Sequence, residues 1–163
     1  MKSQKFRQLL GTFATGCTVV TMESETPHGL TANAFSSVSV DPPLILICVD
    51  HGTNSYELLS SGDVDGFCVN ILSRSQQDLG EYFANMTDLE EDPFETRTVD
   101  EYDTHAPVFE GDLAFLDCDL YESQRAGDHT IYLGEVQQGE ILNPEAAPLA
   151  FYGGEWGSIV LDK

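Results

Sequence analysis

Thr31-Ala32-Asn33-Ala34-Phe35-Ser36-Ser37-Val38-Ser39-Val40-Asp41-Pro42-Pro43-Leu44-Ile45-Leu46-Ile47-Cys48-Val49 places two kinds of β sequence on either side of a proline pair. Thr31 to Val40 alternates loosely between apolar residues and small hydroxyl or amide residues. Pro42-Pro43 ends that run, because proline fixes its own φ and restricts the residue before it. Leu44 to Val49 is continuously apolar, which suits a strand buried on both faces. Upstream, Cys17 to Met22 is rich in β-branched residues and predicts another strand, followed by a polar turn from Glu23 to His28. Downstream, Phe67 to Leu72, Ala114 to Tyr121, Thr130 to Gln137 and Leu149 to Tyr152 read as further short strands. Three helices fit between them. Ser3 to Leu10 carries Phe6, Leu9 and Leu10 at helical spacing. Asn54 with Glu57 three residues later makes a capping-box start, and Gly62 closes that helix. Ser73 to Met86 puts Leu79, Phe83 and Met86 on one face. Many short strands with a few short helices predict a mainly β, α+β chain, a β-barrel with helical additions, as one domain over residues 1–163.

The chain has 163 residues, enough to bury about two-thirds of its unfolded surface without metal or disulfide staples. It holds 28 Asp and Glu against 7 Lys and Arg, a net charge of −21. So few cations cannot build a nucleic-acid groove, and an anionic membrane surface is disfavoured for the same reason. The longest apolar run, Leu44 to Val49, is far too short to span a bilayer. Self-repulsion at this charge density predicts a halophilic protein that needs concentrated salt. The N-terminal Met1-Lys2-Ser3-Gln4-Lys5-Phe6 lacks an apolar signal-peptide stretch, so no export signal is expected. Cys17, Cys48, Cys68 and Cys118 are too far apart for a zinc ribbon or a Cys-x-x-Cys motif. Cys48 and Cys68 lie in apolar runs and read as small buried hydrophobes, and the cytoplasm is the expected compartment. Asp88 to Asp103 is strongly acidic and reads as a solvated excursion; it lacks the Asp-x-Asp-x-Asp-Gly pattern of a calcium loop.

Several catalytic signatures are missing: the Gly-x-Ser-x-Gly elbow, the P-loop and the Gly-x-Gly-x-x-Gly fingerprint. His28, His51, His105 and His129 are dispersed, with no His-x-x-x-His pair, so no metal site is expected. Three polar clusters remain: Thr31 to Ser39, Asn70 to Gln76, and Gly127-Asp128-His129-Thr130. Backbone N–H groups and small hydroxyls bind phosphate without lysine, which matters where cations are scarce. Asn33 and Asn70 each offer a donor and an acceptor suited to an imide or carbonyl edge. His129 reads either as a site residue or as a histidine bonded to Asp128 or to a backbone carbonyl.

These residues carry a resemblance. Thr12 to Thr21, His28 to Leu44 with its Thr-Ala-Asn-x-Phe-Ser-Ser-Val-Ser-x-Asp-Pro-Pro core, Phe67 to Leu72, Gln76 and Phe83-Ala84 follow one another in a familiar order. Gly127 to Val136 and Pro148 to Gly154 complete it. Over nearly its whole length the chain resembles the flavin reductase-like family with the FMN-binding split-barrel fold. The resemblance implies an antiparallel split β-barrel with short flanking helices. It implies a homodimer, with one FMN or FAD per subunit and NADH or NADPH as co-substrate. Reduced flavin would often supply a partner monooxygenase.

The same resemblance assigns the site. Thr31, Ala32, Asn33, Ala34, Ser36, Ser37, Val38 and Ser39 would line the flavin, with Asn33 and Ser37 as the leading side-chain contacts. Cys48, Val49, Asp50 and Asn54 would pass its ribityl phosphate side. Asn70, Leu72 and Gln76 would border the ring or chain, with Phe83 and Tyr152 completing the set. His129 would stand at the nicotinamide side. Apart from the resemblance, Arg74 is the only nearby cation that the sequence suggests. Ala34 departs from the family, which commonly has Ser there. Two other functions compete: a flavin-binding electron-transfer protein without efficient nicotinamide oxidation, and a split-barrel oxidase of a small amine. The Gly-Asp-His block favours the reductase over the oxidase.

Overall fold

The computed structural model describes residues 1–87 and 91–161. Asp88 and Glu90 of the acidic stretch therefore lie outside the described residues. Helix α1 (Ser3–Leu10) leads into β1 (Thr15–Gly16) and then β2 (Thr18–Met22), all five of whose residues are buried. β3 (His28–Ala32) folds back antiparallel on β2. Asn33 and Ala34 separate it from β4 (Phe35–Val40), so the run from Thr31 to Val40 is two strands with a break, not one. The cis Asp41-Pro42 peptide makes a two-residue connection, a type VI arrangement, into β5 (Pro43–Asp50).

Helix α2 (Asn54–Ser61) is capped by Thr53, whose Oγ1 accepts from the Tyr56 N–H at 3.3 Å, one residue earlier than the predicted cap. Gly62, at φ +83°, closes it in the left-handed conformation that glycine adopts without strain. β6 (Gly66–Ile71) follows, then a 3₁₀ turn over Arg74–Gln76 and α3 (Gln77–Phe83). The expected helix to Met86 thus ends early; Asn85 has φ 54° and turns the chain away. Next come α4 (Pro93–Thr96), β7 (Val99–Asp100) and β8 (Val108–Phe109). β9 (Ala114–Ala126) and β10 (His129–Ile141) outrun their predicted ends, because ladder pairing continues through residues too polar to signal a strand. Gly127, at φ +67°, opens the two-residue turn between them, as a type II′ hairpin requires. β11 (Leu149–Tyr152) and β12 (Glu155–Ser158) form a small sheet with β1.

The main sheet runs β3-β2-β6-β9-β10-β5-β4. Its two edges, β3 and β4, are consecutive in the chain, so the sheet curls until they meet at Asn33-Ala34. No pairing joins them among the described residues, and the barrel is split there. Val20, Ile47, Phe67, Val69 and Tyr132 fill the interior. β5 does not bury both faces. Ile45, Ile47 and Val49 point inward, whereas Leu46 and Cys48 are half-buried on the outer side. A second cluster, with Leu72, Leu79, Phe109 and Leu149, packs α3 and β11 beneath the barrel.

The acidic stretch is more than a solvated excursion. Pro93 is buried, and Phe94 stacks on Phe109 with ring centroids 5.4 Å apart. The loop before β9 is tied down by buried polar groups. Asn70 Nδ2 donates to Val19 O, Thr21 Oγ1 and Pro107 O at 3.1 to 3.3 Å, and its Oδ1 accepts from the Phe109 N–H at 3.2 Å. Gln76 Nε2 donates to Asp112 Oδ1 at 2.8 Å, and burial pushes the Asp112 carboxyl up to about 7. Asn70→Ala leaves these buried partners unmet. It should destabilise the fold by about 3 kcal/mol, since each orphaned buried group costs roughly 1–3 kcal/mol. Denaturant unfolding checks this; an unchanged midpoint contradicts it.

Candidate functional site

A cleft of about 900 Å³ opens where the barrel splits. β3 and the Asn33-Ala34 break form one wall, and Cys48 and Asp50 of β5 form another. The N-terminus of α2 enters through Thr53, Asn54 and Ser55. Tyr82, Phe83, Asp92 and Phe94 close the far side, and His129 stands at the tip of the β9–β10 ribbon. Gly29 lets the far wall approach: a Cβ there would meet the Phe83 ring at 2.7 Å. Thr31 Oγ1 donates to Gly80 O at 2.6 Å and fixes α3 against β3. A cleft of this size and mixed lining is typical of cofactor sites.

Its electrostatics are unusual for a nucleotide site. No Lys or Arg is among the described lining residues. Arg74 lies elsewhere: its backbone N–H donates to Ala147 O at 2.7 Å and its guanidinium binds the Gln77 side chain. Arg97 is paired with Asp78. The start of α2 offers N–H donors instead. Tyr56 N–H and Glu57 N–H are bonded to Thr53, while those of Asn54 and Ser55 have no partner among the described residues. Free first-turn N–H groups and the helix dipole suit a phosphate. His28 Nε2 lies 2.8 Å from Ser55 Oγ on the same wall, and burial lowers the His28 pKa. Asp50 is partly committed, its Oδ1 accepting from the Gly52 N–H at 2.7 Å.

His129 and Asp128 share a bond of 2.8 Å between Nδ1 and Oδ1. That bond is the leading reason the Asp128 carboxyl sits below its ordinary range. With Nδ1–H donating to Asp128, Nε2 is the free acceptor of the neutral ring. His129 pairs across the ladder with Asp50, so it faces the cleft on the same side of the sheet as Cys48 and Asp50.

The structure brings Thr31, Ala32, Asn33, Ala34, Cys48, Asp50, Asn54, Phe83 and His129 to this cleft. It does not bring the other predicted residues there. Val49 is 1% exposed because it lies on the inward side of β5. Asn70 and Gln76 spend their amides on the loop network, and Leu72 belongs to the lower core. Ser36, Ser37, Val38 and Ser39 lie past the strand break on β4, outside the cleft lining of a single chain. Tyr152 is exposed on the small sheet. Cys48 is half-buried against the cleft, not a core residue; Cys68 is fully buried, and all four cysteines are free thiols. His28, Ser55, Tyr82 and Phe94 are cleft residues that the sequence reading missed. Phe94 alone had a local signal, the Asp92-Pro93 helix start before a lone aromatic. Among the described residues no three His, Cys, Asp or Glu side chains come together as a metal site would require. No helix among them is long and apolar enough to cross a membrane.

Known proteins share this fold. Residues 10–159 match the family model described as a flavin reductase like domain. The reductase subunit HsaB of a flavin-dependent monooxygenase from Mycobacterium tuberculosis is 32% identical, over 97% of this chain and 83% of that protein. An NADH-dependent flavin reductase of a Rhodococcus species is 35% identical, over 95% and 85%. The solved structure of the Streptomyces globisporus NADH:FAD oxidoreductase SgcE6, in complex with NAD and FAD fragments, superposes with a TM-score of 0.88 at 35% identity, covering 98% of this chain and 93% of that one.

Proposed function

The chain belongs to the flavin reductase like family, and on that footing we propose that its cleft takes up a flavin nucleotide and NADH and reduces the first with the second. It is an oxidoreductase of a mainly antiparallel β, split-barrel type. One observation carries the reading of the site: N–H groups at the start of α2 that have no partner among the described residues, and the His129 ring, belong to a single cleft of nucleotide size. The residues present fit the group. Asn54 and Ser55 would hold the phosphate through backbone N–H, with the Ser55 and Thr53 hydroxyls beside them. Asn33, at the strand break, would meet the polar edge of the ring, and Phe83 would pack against its apolar part.

Bound flavin supplies the electron acceptor, taking two electrons and a proton as hydride from the nicotinamide. The protein binds and orients. Donors in the Thr31 to Ala34 segment would stabilise negative charge on a bound ring. His129, oriented by Asp128, would hold the nicotinamide. FMN is the proposed flavin, with FAD also accommodated by an open cleft.

The working unit is a homodimer of one-domain chains, cytoplasmic, from a halophile, and a partner monooxygenase consumes the reduced flavin. Apolar surface supports the dimer. α1 buries no residue in the single chain, and Phe6, Leu9, Leu10 and Phe13 are all at least half exposed beside Tyr152. Val38 and Val40 on β4 are also exposed, so a second copy would bring the β4 serines into covered surface. Sedimentation at micromolar concentration in molar KCl should give a species of twice 17.9 kDa; a monomer contradicts the dimer.

Mixing pure protein with NADH and FMN, and following the nicotinamide absorbance band, tests the activity. Turnover is expected. Tight flavin binding without nicotinamide oxidation, with NADPH as well as NADH, would instead identify an electron carrier.

A further inference from the structure

His51 is not a lining residue of the cleft, yet it holds the residues on both sides of His129. Its backbone N–H donates to Asp128 O at 3.0 Å, and its Nε2 lies 2.9 Å from Thr130 Oγ1. Its ring packs on Tyr56 of α2, with centroids 4.4 Å apart. Successive residues of β10 point to opposite faces of the sheet. His129 faces the cleft, while Thr130 is 6% exposed on the inner side, as is its ladder partner Val49. A bond to Thr130 from the inner side therefore fixes how the strand presents His129 on the outer side.

The need for such a bond follows from the ribbon. Residues 123–128, at the β9–β10 tip, are all exposed, and the turn itself is only Gly127-Asp128. Packing alone gives this tip little to hold its orientation. We infer that His51 is a positioning residue, which, through Thr130 and Tyr56, locks the His129 turn to the α2 N-terminus. The two halves of the cleft, the phosphate end and the nicotinamide end, are thereby set at a fixed distance. This inference rests on His129 standing at the nicotinamide.

Three variants and their combination test it: His51→Ala, His51→Gln, Thr130→Val, and the double variant His51→Ala/Thr130→Val. Each is measured for melting temperature, flavin Kd, and the rate of flavin reduction by NADH in single-turnover mixing. His51→Ala and Thr130→Val should each slow reduction about 10-fold, the scale of a modest misplacement of a reacting group. Flavin Kd should stay within about two-fold. The double variant should be no slower than His51→Ala alone, because the alanine already removes the bond to Thr130. His51→Gln should recover most of the rate, since its amide nitrogen reaches about as far as Nε2 and can donate to Thr130. A general structural role would lower melting temperature and flavin affinity together and would not be rescued by Gln. Wild-type rates in His51→Ala and Thr130→Val, alongside a slow His129→Ala, overturn the inference and leave the site reading standing. A His129→Ala variant that reduces flavin at the wild-type rate overturns both. Should His51→Ala fail to fold, Thr130→Val against Thr130→Ser decides the question, because only the serine keeps the hydroxyl.

Discussion

Replacing His129 by alanine slows reduction of flavin by NADH roughly 10- to 100-fold and leaves flavin affinity within a few-fold. The size follows from what the residue does. Hydride transfer asks little acid–base chemistry of the protein, so the cost of losing His129 is lost orientation, and misplacement on the scale of an ångström costs up to about 100-fold. The separation of effects follows from position. His129 is at the tip of the ribbon, whereas the α2 N-terminus and the Asn33-Ala34 break belong to other walls of the cleft. Asn33→Ala should behave in the opposite way, weakening flavin several-fold with a smaller effect on the reduction rate at saturation. Rapid-mixing reduction at saturating flavin, together with flavin titration, separates the two. A wild-type reduction rate in His129→Ala removes the residue from the nicotinamide site, and unchanged flavin affinity in Asn33→Ala removes Asn33 from the flavin site.

How far the sequence carries this argument differs between fold and site. Strands were legible wherever β-branched or apolar residues cluster, as in Cys17 to Met22 and Phe67 to Leu72. They were illegible where pairing alone defines them. The last residues of β9, 122–126, and the end of β10, 138–141, are exposed and mostly polar, and only their ladder partners make them strand, which local composition does not weigh. Within the Thr31 to Ser39 block, periodicity does not show that the chain breaks at Asn33-Ala34. That break places Thr31 to Ala34 on the cleft and sends Ser36 to Ser39 down a different strand. The structure engages Asn70 in a loop instead, and a buried amide that ties a loop looks the same in sequence as one that meets a ligand. Only the partners, Val19, Thr21, Pro107 and Phe109, tell them apart. Phe94 and His28 reach the cleft from segments that read as a solvated loop and a turn, because their placement depends on packing between distant parts of the chain.

Raising KCl from tenths of molar to molar should lower both the apparent KM for NADH and the flavin Kd, provided the protein is folded throughout. Flavin phosphate and NADH are anions, and the chain they approach carries −21. In dilute buffer the summed field of 28 carboxylates opposes their encounter. The screening length is about 10 Å at 0.1 M salt and about 3 Å at 1 M, so molar salt removes most of this long-range repulsion. A local Lys or Arg clamp would work in the other direction, because screening weakens its attraction for phosphate. The described cleft lining has no such clamp; Arg74 and Arg97 are engaged elsewhere, and Asp50 and Asp92 add negative charge to the rim. What remains is short-range hydrogen bonding from N–H and hydroxyl groups, which salt screens far less than surface charge. Repulsion is therefore the salt-sensitive part, and its removal favours binding. Circular dichroism at each salt concentration must accompany the titration, since unfolding in dilute buffer would also raise KM. A KM that climbs steadily with KCl while the fold is intact would mean that a cationic contact, supplied by a second copy of the chain, dominates the site.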